Sequence, residues 1–450
     1  MQFEMYSFKT AGKIRLMTAI VLVFALLAGI CFAGQSDPYL EATTGREPVI
    51  GVSYFGTHFH RLVLNPGEKN LRTNWPTSSI GSIRLWDSGT LWSEVATQPG
   101  QWKFDRMDSY VEQAAAHNAT VLYTLGGTPR WASARPDEKC SYGYGCSAEP
   151  VRMAHWEEYV RRVAQRYRGR IKAYELWNEP NFSDIARDRG RPGFYTGNIA
   201  QMVEMARIAR KVLDENDPDA VLSTPGFVNG PDRLELFLEG GGKQYIQAVA
   251  YHFYSANSEL FARQLIEVHA IMKRQGIENL PLWNTETGVE VNLPGTPEPS
   301  GAKPLSFSDA AARFAQFLIL GSAAGLEHYY HYAWDNPRSG MLTMSGEQLP
   351  SLAGYEKVQS WLIGSKMQGC KKVLPQAVFC KGERAGAKFV IAWSESKGSY
   401  FLPTPSGWVI TSIEHFLDTS TYPFTAKNQD KGVRFELDPQ PLFIEYKIHS

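Results

Sequence analysis

The sequence has no excess of charge of either sign: 46 Lys and Arg stand against 46 Asp and Glu, for a formal net charge of +0. That balance argues against nucleic acid or an acidic membrane surface as a partner and favours a neutral or mixed ligand. Cysteine is scarce, with five in 450 residues, which excludes a cysteine-dense scaffold. An HExxH pair is missing, and His58-Phe59-His60 has no cysteine cluster beside it, so neither metal catalysis nor a cofactor is expected. A serine nucleophile elbow of the G-x-S-x-G type is missing too. Internal repeats and low-complexity tracts are lacking, apart from a Pro-rich loop from Leu293 to Pro304. What is present is the mixture of an ordinary globular protein, 43% hydrophobic and 20% charged, at a length that suits a full α/β barrel with a smaller companion.

At the N-terminus Lys9, Lys13 and Arg15 precede an uncharged apolar run from Leu16 to Phe32. This reads as a secretory signal over 1–33. The run is longer than the usual signal core and just short of a membrane span, so cleavage after Ala33 is favoured while retention as a membrane anchor stays open. Ile30 sits where a lipoprotein signal wants a small residue, which sets lipidation of Cys31 aside. Export to the periplasm or the medium permits disulfides, and the four remaining cysteines fall in two close pairs, Cys140 with Cys146 and Cys370 with Cys380. The first pair brackets the polar, Gly-rich loop CSYGYGC.

After a linker over 34–48, short β-branched or apolar runs alternate with longer stretches of helical period, the pattern of βα units around a parallel sheet. Eight strands are expected: Ile50 to Phe55, Ser82 to Asp87, Thr120 to Leu125, Ile171 to Asn178, Ala220 to Thr224, Ile246 to Tyr254, Pro281 to Thr287 and Leu326 to Trp334. Helical patterns run from Asp105 to His117, Met153 to Tyr167, Ile199 to Glu215, Leu260 to Gln275, Asp309 to Gly325 and Leu352 to Ile363. The first crossover, Gly56 to Ile80, is interrupted by Pro66 and Pro76. The expected fold is therefore an α/β (β/α)₈ barrel over 49–363. From 364 to 450 the texture changes to strands and turns, as in FVIAWSE and GWVITSIEHFL, which predicts an antiparallel β-sandwich that supplies no catalytic group.

In such barrels chemistry sits where side chains converge at the C-terminal ends of the strands. Strand four ends YELWNEPN and strand seven ends LWNTETG, so Glu179 and Glu286 arrive at one mouth from different strands. Two carboxyls so placed suit glycosidic bond cleavage, in which one protonates the departing oxygen and the other attacks the anomeric carbon or activates water. Glu175 shares the strand phase of Glu179 but lies deeper, where it is expected to pair with a cation, and Glu290 beyond Gly288 rivals Glu286. Strict alternation puts Asn178 and Glu179 on opposite faces, so both reach the mouth only if the strand bends at its end.

On Asn178-Glu179-Pro180 and Thr285-Glu286-Thr287, with Arg84, the His252-Phe253-Tyr254 triplet and Trp334 at other strand ends, the sequence resembles the clan of retaining barrel glycosidases. It is most similar to glycoside hydrolase family 39, including bacterial exopolysaccharide-degrading members, through WNEPN and the trailing strands. The resemblance implies that Glu179 is the general acid/base and Glu286 the nucleophile, that the two lie about 5 to 5.5 Å apart, and that Asn178 bonds the sugar 2-hydroxyl. A carbohydrate is then the expected partner. A barrel that binds sugar without cleaving it, and a transglycosylase using the same pair, remain alternatives.

Supporting residues follow from the strand ends. Arg84 is expected to keep Glu286 ionised, since a nearby cation lowers a carboxyl pKa. His252 and Tyr254 share one strand phase and are expected to orient the nucleophile. Trp334 and Trp131 are candidate platforms for sugar rings. Trp86, Asp87 and His58 are further candidates at strand ends.

Overall fold

In the computed structural model, the described residues are 48–64, 73–291, 305–343, 345–373, 377–417 and 432–448. The signal segment, all but the last residue of the linker, and the Pro-rich loop after strand seven lie outside them.

Eight parallel barrel strands are formed by β1 (Phe55–His58), β2 (Ser82–Leu85), β3 (Thr120–Thr124), β6 (Ala173–Glu175), the pair β7 (Val221–Ser223) and β8 (Phe227–Val228), β9 (Val249–His252), β10 (Leu282–Thr287) and β11 (His328–His331). The ladder runs β7-β6-β3-β2-β1-β11-β10-β9-β8. β7 and β8 are one barrel strand broken at Thr224-Pro225-Gly226, and the bridges Ser223 to Ala248 and Asn178 to Gly226 close the ring. Proline cannot donate to a ladder, which is why the break falls there. Two short strands, β4 (Lys139–Cys140) and β5 (Gly143–Tyr144), pair antiparallel in the loop after β3. The helices are α1 (Trp92–Val95), α2 (Asp105–Ala116), α3 (Met153–Arg166), α4 (Ile199–Asn216), α5 (Pro231–Glu239), α6 (Ser258–Arg274), α7 (Phe307–Ala323) and α8 (Pro350–Leu362).

The helices form where the apolar period and the caps agree. In α4 the Asn198 side chain accepts from the Gln201 amide while the Gln201 side chain answers the Asn198 amide, and Met202, Met205, Ala206, Ala209, Val212 and Leu213 make one buried face. The single turn α1 and the helix α5 fall outside the expected set. In α5, Pro231 at the first position and the stripe Leu234, Phe237 and Leu238 build a helix too short to stand out as a period. The first strand also departs from expectation. Residues Val52–Tyr54 form a 3₁₀ turn and β1 begins at Phe55, because the backbone of Ile50 pairs instead with Gly364 and Ser365 after α8.

Beyond α8 the strands β12 (Lys366–Val373), β13 (Ala377–Arg384), β14 (Ala387–Ser394), β16 (Trp408–His415) and β18 (Leu442–Ile448) form an antiparallel sheet in the order β12-β13-β14-β18-β16. A two-stranded sheet, β15 (Gly398–Leu402) with β17 (Val433–Leu437), shares with its other face a core that includes Val390, Ile410, Leu437 and Ile444. The inner face, with Met367, Cys370, Cys380, Phe389, Trp393 and Phe443, joins the same apolar core as α7 and α8. α7 is consequently buried on nearly every side from Ala310 to Ala323. Both cysteine pairs are bonded, Cys140 to Cys146 beside the β4–β5 ribbon and Cys370 to Cys380 between register partners on β12 and β13. Among the described residues no helix is long and apolar enough to cross a membrane.

Candidate active site

The barrel interior is apolar at one end and polar at the other. Leu122, Ala248, Trp283 and Tyr330 pack into a layer that closes the N-terminal end. Above that layer Arg84 points inward from β2, fully buried, while its neighbours Ile83 and Leu85 join the core shared with the helices. Its guanidinium donates from Nε to Glu175 Oε2 at 2.9 Å, from Nη1 to Glu286 Oε2 at 2.8 Å and from Nη2 to Asn178 Oδ1 at 2.7 Å. Thr124 adds a 2.7 Å hydrogen bond to the same Glu175 oxygen. Arg84 therefore serves two carboxylates, and Glu175 is its deep partner.

Glu286 reaches the interior through an irregularity in β10. Trp283 faces the barrel axis and Leu282 the helices, so simple alternation would turn Glu286 outward. Between Asn284 and Thr287 the register with β11 slips by one residue, and this bulge brings Glu286 to the mouth. There Tyr254 donates to its Oε1 at 2.8 Å.

Glu179 is turned by its own backbone. It adopts φ +40°, a left-handed conformation rare for a residue with a side chain, and its amide donates to the Gly226 carbonyl at 2.9 Å. The end of the fourth barrel strand thus bends, and Asn178 and Glu179 both face the mouth. His252 Nδ1 lies 2.9 Å from Glu179 Oε1, so its direct partner is Glu179 and not the Glu286 expected from strand phase. Gly226 makes room for this pair, since a Cβ there would stand 2.3 Å from His252 Nε2 and 2.8 Å from Glu175 Oε1.

One side-chain oxygen of Glu179, one of Glu286 and a ring nitrogen of His252 lie within 4.8 Å of one another. Burial raises the pKa of both carboxyls to about 7; Arg84 opposes the rise in each, and each is further raised by the negative groups near it, Asp87 included. Arg84 acts on Glu286 in the direction expected, lowering its pKa, but desolvation outweighs the cation. Burial lowers His252 to about 4, so its ring is neutral at physiological pH. Three such groups resemble a cation site in composition. The Glu286 oxygens, however, already accept from Arg84 and Tyr254, and a guanidinium 2.8 Å away opposes a second positive charge.

The remaining expected residues divide into those at the mouth and those in the core. Asp87, half-buried at φ +56°, accepts from Tyr142 at Oδ1 and from Tyr332 at Oδ2, the latter at 2.7 Å. Trp86 is buried beneath Tyr142 and Phe194, with ring centroids 5.8 and 6.0 Å away. His58 is buried, its Nε2 3.1 Å from the Thr285 carbonyl and its ring against Tyr332. Trp334 is 2% exposed and packed between Phe59 and Tyr355, so it has no free face for a sugar. Trp131 spends its indole N–H on the Ala96 carbonyl at 2.7 Å and packs beside His155, in the helical layer instead of at the mouth. A strand-end position in the sequence does not separate the interior face from the helix-facing one, which is why Trp334 departs from expectation, whereas Trp131 lies in a 3₁₀ turn over Arg130–Ala132 in the loop beyond β3. Glu290 is exposed beyond the strand and is not part of the cluster. Sequence reasoning missed Tyr142 and Tyr332; the signal was a tyrosine inside a disulfide loop and another next to a strand end.

No protein-family model matches the sequence, and no curated protein does. Among solved structures the chain is similar to a family 39 glycoside hydrolase from the gut symbiont Bacteroides cellulosilyticus WH2, at 15% identity and a TM-score of 0.66, over 89% of this chain and 81% of that one. It is similar to a family 39 β-xylosidase from Caulobacter crescentus at 15% identity and a TM-score of 0.57, over 90% of this chain and 98% of the other. A family 30 subfamily 8 xylanase from Clostridium acetobutylicum matches at 12% identity and a TM-score of 0.59, over 87% and 95% of the two chains. At these identities the likeness shows a shared fold, the one expected from the strand-end motifs.

Proposed function

We propose that the protein is a retaining glycoside hydrolase that cleaves poly- or oligosaccharides by double displacement, with Glu286 as nucleophile and Glu179 as general acid/base. The observation that carries this reading is the pair of carboxyls from opposite barrel strands, with an oxygen of each within 4.8 Å, held in unlike hydrogen-bond settings. A short separation suits direct attack, whereas an inverting pair stands about 6.5 to 9.5 Å apart to admit water.

Glu286 receives two donors, one of them cationic, which favours its charged form; among the described residues the carboxyl of Glu179 has the neutral His252 as its hydrogen-bond partner. With one proton between two carboxyls near pH 7, the proton resides on Glu179. Glu286 attacks the anomeric carbon as Glu179 protonates the glycosidic oxygen, and a glycosyl ester forms on Glu286. Glu179, now a carboxylate, takes a proton from water, which attacks the same carbon and frees Glu286. The Asn178 amide NH₂ is the end left for the sugar 2-hydroxyl, because its oxygen is held by Arg84.

The fold shared with a β-xylosidase and a xylanase supports a saccharide substrate, and the strand-end resemblance supports a bacterial exopolysaccharide among the candidates. Two disulfides support export. The C-terminal sheets act as a structural companion, and among the described residues beyond 363 none contributes a group to the mouth. NMR of the sugar anomer first released from an aryl glycoside or oligosaccharide tests the mechanism: retention is expected, and inversion at the anomeric carbon would remove Glu286 as nucleophile.

A further inference from the structure

We infer that Asp87 sets the charge of the sugar accepted at the reacting subsite, admitting neutral sugars and cationic amino sugars and rejecting uronic acids. The inference rests on the glycosidase reading of this same site.

Strand phase does not put Asp87 there. Arg84 faces the axis, and strict alternation would turn Asp87, three residues on, toward the helices. The left-handed turn at Asp87 re-aims the carboxylate to the mouth, where Tyr142 from the disulfide loop and Tyr332 from beyond β11 each donate to one of its oxygens. Burial, and next the charge of Asp87, pushes both phenols far above their usual range, so they stay protonated and stay donors. Each carboxylate oxygen has two lone pairs, and one phenol occupies one of them. Asp87 is thus fixed in orientation and still able to accept from a hydroxyl or an ammonium group.

Among the described residues the surrounding charges do not offset it. Beyond each other and the neutral His252, the charged groups that weigh most on Glu179 and Glu286 are Arg84, Arg233, Glu175 and Asp87. Arg233 is bound to both oxygens of Asp188, at 2.7 and 2.5 Å. Arg84 is shared between Glu175 and Glu286. Arg106, behind the Asp87 turn, donates to the carbonyls of Ser88, Leu64 and His60.

Even with Glu179 protonated, Arg84 faces three anions, Glu175, Glu286 and Asp87, while Asp188 is already matched by Arg233 and Arg187. A carboxylate on the sugar adds to that excess, while a hydroxyl does not and an ammonium reduces it. Two like charges about 6 Å apart in a partly shielded site disfavour binding on the order of 100-fold.

The test compares neutral, amino and uronic oligosaccharides on the full chain. Binding is measured by calorimetry to Glu179→Gln, which mimics the protonated acid and slows turnover, using xylo-, manno- and chitosan oligomers against oligogalacturonate and alginate oligomers. Turnover by the wild type is measured on 4-methylumbelliferyl β-glucoside and β-glucuronide. The expected result is at least 10-fold tighter binding of a neutral or amino oligomer than of any uronate, with the contrast shrinking at least 10-fold in Asp87→Asn. Asparagine tolerates the same left-handed turn, so the variant keeps the backbone. Uronates bound or cleaved as well as their neutral counterparts would overturn the inference and leave the glycosidase reading standing, as would an unchanged contrast in Asp87→Asn. Failure of every saccharide to bind or react would instead remove the carbohydrate site itself.

Discussion

Glu179 and Glu286 stand out among the residues because burial raises both to about 7. Activity that needs one proton between them should follow a bell in pH centred near 7, measured as kcat/KM. The same shift bears on stability. A carboxyl with a folded pKa of about 7 and an unfolded value near 4.5 keeps a proton on folding that the unfolded chain has lost. Its contribution to stability is full below about pH 4.5 and is lost as pH rises through about 7. Glu179→Gln carries no charge to desolvate, so it should be more stable than the wild type at pH 8 by about 1 to 3 kcal/mol and nearly equal to it at pH 4. Denaturant titration at the two pH values checks this; a Gln variant less stable at pH 8 would deny that burial sets the shift. For catalysis, Glu286→Gln should abolish turnover with every leaving group. Glu179→Gln should lose least with an activated aryl leaving group and recover in part with azide.

Single elements carry the next set of consequences. β2 presents Arg84 to two carboxylates, and Arg84→Met leaves Glu175 buried without its cation. A loss of about 3 to 5 kcal/mol is expected, read from the midpoint of chemical unfolding. The two disulfides should separate by element. Cys370 and Cys380 are buried between β12 and β13, far along the chain from the mouth, so Cys370→Ser with Cys380→Ser should lower stability by about 2 to 4 kcal/mol and spare kcat/KM. Cys140 and Cys146 bracket Tyr142, which holds Asp87, so their double serine variant should raise KM more than it lowers the melting temperature.

Across the full chain, the barrel and the inner C-terminal sheet share one apolar core. Phe443 stacks on Trp361 of α8 with centroids 5.4 Å apart, and the inner sheet covers α7. A chain cut after Ile363 would expose that face, and large exposed apolar patches drive aggregation. The expected outcome is insoluble protein, checked by expression and size-exclusion chromatography; a monodisperse, folded truncation would mean that α7 and α8 tolerate water.

The barrel, the trailing strands, both cysteine pairs and the two glutamates at strand ends were legible in the amino-acid order, because hydrophobic period, cysteine spacing and WNEPN are local signals. The face that a strand-end residue takes was not. Trp334 is core and Asp87 is at the mouth, although each ends an expected strand and lies just beyond an observed one. The bulge that turns Glu286 inward is a mismatch between β10 and β11, and the left-handed bend at Glu179 is held by Gly226 from another strand. The net pKa of Glu286 was not legible for the same reason: the sequence offers a cation, while the closed barrel sets how much water is lost. Side-chain direction and desolvation depend on neighbours distant in the chain, and these come together only when the barrel closes.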